Sequence, residues 1–137
     1  MADWFTPLVI NGELVEESDS LANSLLDEAD RQDKTIDLSL HPRSMLGFDD
    51  EGEWLLLAVA DGRQKGYSIG MSLGEQSRLM KSKGCTQAIN LDGGGGSIMM
   101  IRDESGKVVT VNRPSGRSHR PVPIMIGVRH RRHGRGM

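Results

Sequence analysis

Residues 88–100 read A-I-N-L-D-G-G-G-G-S-I-M-M. An apolar run broken by Asn90 and Asp92 enters four consecutive glycines, Gly93 to Gly96, and Ser97 opens a second apolar run. Glycine loses more backbone freedom on folding than any other residue. Four in a row therefore destabilise a chain unless the backbone there must turn left-handed or pass close to a ligand. A flexible spacer is the alternative reading of a glycine run, but strand-like apolar segments bound this one tightly on both sides. The stretch reads as strand, backbone-only loop, strand, with polar side chains at the mouth of the loop.

Working outward, Ser72 to Lys83 carries the signature of a helix. Ser72 and Glu75 are spaced as a capping box, and Gly84 supplies the C-terminal stop. Before it, Trp54 to Ala60 (W-L-L-L-A-V-A) reads as a buried strand that ends at Asp61-Gly62-Arg63; after it, Thr86 to Leu91 is the strand that enters the glycine loop. If these two strands run parallel, their C-terminal ends share one edge of the sheet, bringing Asp61, Arg63 and Asp92 together. Ser44 to Phe48 pairs antiparallel with 54–60 through the turn Asp49 to Glu53, so Arg43 and Ser44 return to the same edge. A hairpin of Ser97 to Ile101 and Lys107 to Val111, around Asp103-Glu104-Ser105-Gly106, sets Ser97 beside Asn112 and Arg113. Pro42 keeps the chain extended just before Arg43. Val122 to Val128 is expected as a last strand.

At the N-terminal end, Asn11-Gly12 between two apolar runs (Pro7 to Glu16) is the strongest short-range hairpin signal. Leu21, Leu25, Leu26 and Ala29 fall at helical spacing within Ser20 to Asp33, with Ser20 as cap; a solvated acidic loop is the alternative reading. The alternation over Thr35 to Leu40 reads as a half-buried strand. The 137 residues suffice for one domain. Its expected organisation is a hairpin and acidic helical segment (1–40), a core (41–128) and a basic tail (129–137).

Net charge is −2, but it is unevenly spread: residues 1–53 hold fourteen acidic and three basic side chains, while residues 113–137 hold seven arginines and no acid. Such asymmetry favours an anion-binding end or head-to-tail attraction between chains. The terminal R-H-R-R-H-G-R-G-M reads as a frayed tail and not as a nucleic-acid arm. Cys85 is the only cysteine, which excludes an internal disulfide; it reads as a small buried filler. No charged leader with an apolar stretch opens the sequence, and no run nears the ~20 apolar residues of a membrane span. The expectation is a soluble, cytoplasmic protein with no membrane partner.

Topology thus collects Arg43, Asp61, Arg63, Asn90, Asp92, Ser97, Asn112 and Arg113 on one rim. Guanidinium groups match phosphate oxygens bidentately, and consecutive glycine amides form an anion-binding nest with no side chain in the way. Asp61 and Asp92 offer nucleophile or general-base roles. Together these groups suit a phosphate-bearing substrate attacked at a neighbouring carbon. The structural alternative is that the two aspartates pair with Arg63 and Arg43 simply to close a sheet edge. The histidines lack metal-ligand spacing, so no metal and no cofactor is expected. His41 is expected to pack against Pro42.

H-P-R-S (41–44), D-G-R-Q-K-G-Y-S-I-G-M-S-L (61–73), N-L-D-G-G-G-G-S-I-M (90–99) and N-R-P-S (112–115) resemble, in order and spacing, the phosphodiester glycosidase family. The likeness covers 41–128. It implies an α+β fold with a mixed β-sheet and one or two helices, and a rim pocket that cleaves the sugar–phosphate bond of a sugar-1-phosphodiester. By the same resemblance Asp92, Asp61 and Asn90 are the catalytic candidates. Arg43, Ser44, Arg63, Gly93, Gly94, Gly95, Gly96, Ser97, Asn112 and Arg113 are the substrate-binding ones. Ser44, Gly96 and Ile98 stand where the family commonly has Thr, Ser and Thr. The second reading is a module that captures a nucleotide-like ligand without turnover. Family members also carry further upstream strands, so an uncovered sheet edge, and with it a homo-oligomer, is expected.

Overall fold

The computed structural model describes residues 5–15, 40–116, 121–122 and 125–129. Asn11 and Gly12 both take left-handed backbone, φ 51° and 77°. A two-residue turn matched to the strand twist requires that pair of conformations. They join β1 (Thr6–Ile10) to β2 (Glu13–Leu14), with Ile10 opposite Glu13. The turn is also tied to the body of the protein. Gln87 Nε2 donates to Asn11 Oδ1 at 2.8 Å, and the Gly12 N–H donates to the Thr86 carbonyl at 2.9 Å.

β3 (Arg43–Phe48) folds back on β4 (Leu55–Ala60) through a turn in which Asp49 Oδ1 accepts the Trp54 N–H at 3.1 Å. α1 (Leu73–Ser82) follows. Its predicted capping box is present: Ser72 accepts the Glu75 N–H while Glu75 accepts the Ser72 N–H. β5 (Gln87–Asn90) then enters the sheet, giving the order β2-β1-β5-β3-β4. Each hydrogen-bonded neighbour pair is antiparallel, so β4 and β5 run the same way on either side of β3. The class is α+β, as expected, and the N-terminal hairpin belongs to the central sheet through β1–β5 pairing.

Register decides where function can lie. Arg43 opens β3 opposite Ala60, the last residue of β4, and Met45 lies opposite Asn90, the last residue of β5. Three chain segments thus meet at one edge with their polar continuations beyond it. After the glycines, which form a single 3₁₀ turn over Gly94–Gly96, β6 (Met100–Arg102) and β7 (Val108–Thr110) make a separate two-stranded sheet.

The core is Leu8, Val9, Met45, Leu73, Met80, Cys85 and Ala88, where α1 lies on β1 and β5. Burying a Leu or Met side chain of this kind stabilises by about 1.5–3 kcal/mol each. The helix sits close: a Cβ on Gly47 of β3 would fall 2.7 Å from Cys85 Sγ and 2.8 Å from Met80 Cε. Cys85 is the buried filler expected, and burial pushes its thiol up, with the Asp49 carboxylate adding to the shift.

Two expectations need correction. The run 54–60 is not fully buried: β4 ends the strand order, and α1 lies over β1 and β5 instead. Leu56, Ala58 and Ala60 pack towards the core while Trp54 and Leu55 stay exposed. The last strand expected over 122–128 is absent among the described residues there, whose apolar side chains are exposed. Prolines at 121 and 123 remove backbone donors that a ladder needs. The helix expected over 20–33 and the strand over 35–40 lie outside the described residues, apart from Leu40, which is not in a strand.

Candidate functional site

At the shared edge the chain crosses itself closely. His41 and Met71 form an antiparallel bridge, the Met71 N–H donating to the His41 carbonyl at 3.0 Å. That crossing leaves no room for a side chain at Gly70 of the 61–71 loop: a Cβ there would lie 2.6 Å from three backbone atoms of His41. From the other side the glycine run presses on the same segment. A Cβ on Gly93 would fall 2.6 Å from the Pro42 carbonyl oxygen, which also accepts the Gly94 N–H at 2.9 Å. Glycine is required at both positions by proximity, so the run is a close-packed floor and not a spacer.

Above this floor lies an open hollow of about 530 Å³ lined by His41, Arg43, Arg63, Asp92, Gly93, Gly94, Gly95, Ser115 and Gly116. Arg43, at the start of β3, donates from Nε to the Met71 carbonyl at 3.0 Å. Arg63 has a left-handed backbone, φ 56°, which is rare for a residue with a Cβ. Its N–H donates to the Ile69 carbonyl at 3.2 Å, and its guanidinium lies beside Gly94, whose Cβ, if present, would be 3.3 Å from Nη1. Asp92 is exposed, and its Oδ1 accepts the Gly93 N–H at 2.8 Å.

The other expected residues are placed differently. The carboxylate of Asp61 accepts the Asn112 Nδ2 at 2.8 Å, the Arg113 N–H at 2.9 and 3.1 Å, and the Tyr67 hydroxyl at 3.0 Å. Asn112 also donates to the Ser97 carbonyl and accepts the Met99 N–H, both at 2.9 Å. Asp61 and Asn112 therefore join the end of β4 to the start of the 97–99 segment and the end of β7. The Arg113 guanidinium stacks 4.8 Å over the Tyr67 ring. The hydrogen bond from Tyr67 to Asp61, and that carboxylate's charge, hold the Tyr67 phenol above its ordinary range, with Arg113 opposing.

Asn90 and Ser97 are buried, and their Oδ1 and Oγ atoms have no hydrogen-bond partner among the described residues. Ser44 is half-buried within β3, opposite Val59, and its carbonyl accepts the Leu91 N–H at 2.8 Å. Gly96 faces Val122, whose Cγ1 would be 3.3 Å from a Cβ there. The hollow thus gathers Arg43, Arg63, Asp92 and Gly93–Gly95. Asp61, Asn90, Ser97, Asn112 and Arg113 are absent from its lining. His41, Ser115 and Gly116 were not expected in it. The signal for the first two was their place inside the H-P-R-S and N-R-P-S motifs. Among the described residues no group of His, Cys, Asp or Glu is placed to hold a metal ion, and no helix is long and apolar enough to cross a membrane.

The model of a family described as phosphodiester glycosidase matches residues 3–129. No curated protein matches. Among solved structures, the zebrafish N-acetylglucosamine-1-phosphodiester alpha-N-acetylglucosaminidase catalytic domain, auto-inhibited by its pro-peptide, is 26% identical. It aligns over 80% of this chain and 33% of its own, with a TM-score of 0.55. A Burkholderia pseudomallei protein is 38% identical over 57% of this chain and 14% of its own (TM-score 0.49). A Synechocystis protein is 23% identical over 75% of this chain and 16% of its own (TM-score 0.49). The chain spans about a third of the zebrafish domain and less of the other two.

Proposed function

This chain belongs to the phosphodiester glycosidase family, and from that premise we propose that it hydrolyses a sugar-1-phosphodiester in the hollow at the sheet edge. A single observation carries the proposal: two guanidinium groups, one exposed carboxylate and a floor of side-chain-free backbone line the same space. Arg43 and Arg63 would grip the phosphate, whose charge they match and whose departure they ease. Phosphate is a good leaving group, so arginine charge can replace the protonating acid of ordinary glycosidases. Asp92 would attack the anomeric carbon or take a proton from the attacking water. In either case the C1–O electron pair leaves on the phosphate oxygen, giving a phosphomonoester; water delivers the free sugar directly when Asp92 is the base, and by hydrolysing the Asp92–C1 ester when Asp92 is the nucleophile. Asp61, already accepting hydrogen bonds from three residues, would act by holding the 112–113 segment and not by attack.

A second reading is favoured by one specific feature. Two carboxylates normally flank a scissile glycosidic bond, and among the described residues Asp92 is the only one lining this hollow. A pocket so equipped would capture an anionic ester without cleaving it. The test is an assay with the methyl phosphodiester of N-acetylglucosamine and with cyclic and sugar-linked nucleotides, followed by mass analysis of what remains bound. Release of a phosphomonoester supports hydrolysis; tight binding with the ester recovered intact supports capture. Neither binding nor turnover of any of them would refute both.

A further inference from the structure

We propose that His41 is a positioning residue: its neutral imidazole accepts a hydrogen bond that holds the Arg63 guanidinium over the glycine floor, aimed at the phosphate. The proposal rests on the anion-binding part of the function argued above. His41 Nδ1 and Arg63 Nη2 lie 3.2 Å apart. Arginine has donors and no acceptor and stays protonated in proteins, so Nδ1 must be the acceptor. The contact therefore selects the tautomer with its proton on Nε2. An imidazolium could not accept this bond, and it would set a second positive charge beside the guanidinium.

Among the described residues, the charged groups that line the hollow with the ring are Arg43 from β3, Arg63 from the 61–71 loop and Asp92 after β5. The need for a support is visible in Arg63 itself. Its backbone is left-handed, φ 56°, on a loop that crosses the His41–Met71 bridge. A long, rotamer-rich side chain starting there has Gly94 on one side, which offers no Cβ to pack against. The imidazole, fixed through its own backbone bridge to Met71, supplies the other wall.

The experiment reads the contact and the anion separately, on the full chain at pH 8. First, ¹⁵N NMR of the ring in the free protein reports the tautomer: the Nε2–H form is expected, and a predominant Nδ1–H form overturns the proposal. Second, inorganic phosphate is titrated into the wild type, His41→Ala and His41→Asn. Alanine is expected to weaken binding about fivefold, the size of one ordinary solvent-exposed hydrogen bond. Asparagine carries Oδ1 on the same carbon as the ring's Nδ1, and should restore affinity to within about twofold. In an Arg63→Ala background, His41→Ala should have almost no further effect. Equal losses in both backgrounds, no rescue by asparagine, or no phosphate binding by the wild type would each overturn the assignment. Absence of turnover alone would sink the hydrolase reading and leave this one standing.

Discussion

Both carboxylate oxygens of Asp61 accept the backbone N–H of Arg113, at 2.9 and 3.1 Å, across 52 residues of sequence. With the bonds from Asn112 Nδ2 and the Tyr67 hydroxyl, one side chain ties the end of β4 to the end of β7. Removing it leaves those donors without their acceptor. Asp61→Ala should therefore lower stability by about 1–3 kcal/mol, measured by urea unfolding. Asp61→Asn keeps one acceptor oxygen and should fall between the alanine variant and the wild type.

Tyr67 is the only tyrosine in the chain, so its ionisation is directly visible in the phenolate absorbance. Its bond to Asp61 and that residue's charge raise its pKa above the usual 10.0. The sign follows. A phenol harder to ionise when folded contributes stability in full below the unfolded pKa, and that stability is lost as pH rises through the folded value. A pH titration should show a midpoint above 10.0 in the wild type and a lower one in Asp61→Asn. An unchanged midpoint would show that the hydrogen bond is not formed in solution.

Asp92→Asn preserves the size of the side chain and an oxygen for the Gly93 N–H, but removes the charge. If Asp92 is the reacting carboxylate, turnover of a sugar-1-phosphodiester should fall at least about 100-fold while phosphate still binds. Asp61→Asn, which acts only through the segment it holds, should retain a larger share of activity. Comparable activity in Asp92→Asn and the wild type would remove Asp92 from the chemistry.

Gly93 lies where a methyl group would strike the Pro42 carbonyl oxygen at 2.6 Å. Because the obstacle is backbone, Gly93→Ala should destabilise by about 1–3 kcal/mol and weaken phosphate binding together. A Gly106→Ala control has open space but φ 86°, so it should lose stability through backbone strain alone and leave binding intact. Thermal unfolding and a phosphate titration on each variant separate the two effects.

Much of this was legible in local signals. Asn11-Gly12 specifies its turn by conformation, and Ser72 with Glu75 specifies the start of α1 by reciprocal hydrogen bonds. The meeting of Arg43, Ala60 and Asn90 at one edge follows from the antiparallel return of β3 between two strands of one direction. What could not be read is set by contacts distant in sequence. An apolar run looks alike at the centre and the end of a strand order, so the exposure of Leu55 left no trace. A histidine before proline carries no sign of a partner 22 residues away. Nor did the rim say which aspartate would be enclosed by donors and which would face the hollow.

The left-handed backbone of Arg63 carries a consequence for how this protein can be improved. A glycine would adopt φ 56° without steric penalty, so screening for heat tolerance alone would favour Arg63→Gly. The same change deletes a cation from the cavity wall. Selection for robustness and selection for ligand would pull in opposite directions at this single codon, and a stabilised lineage would drift toward an empty-handed scaffold.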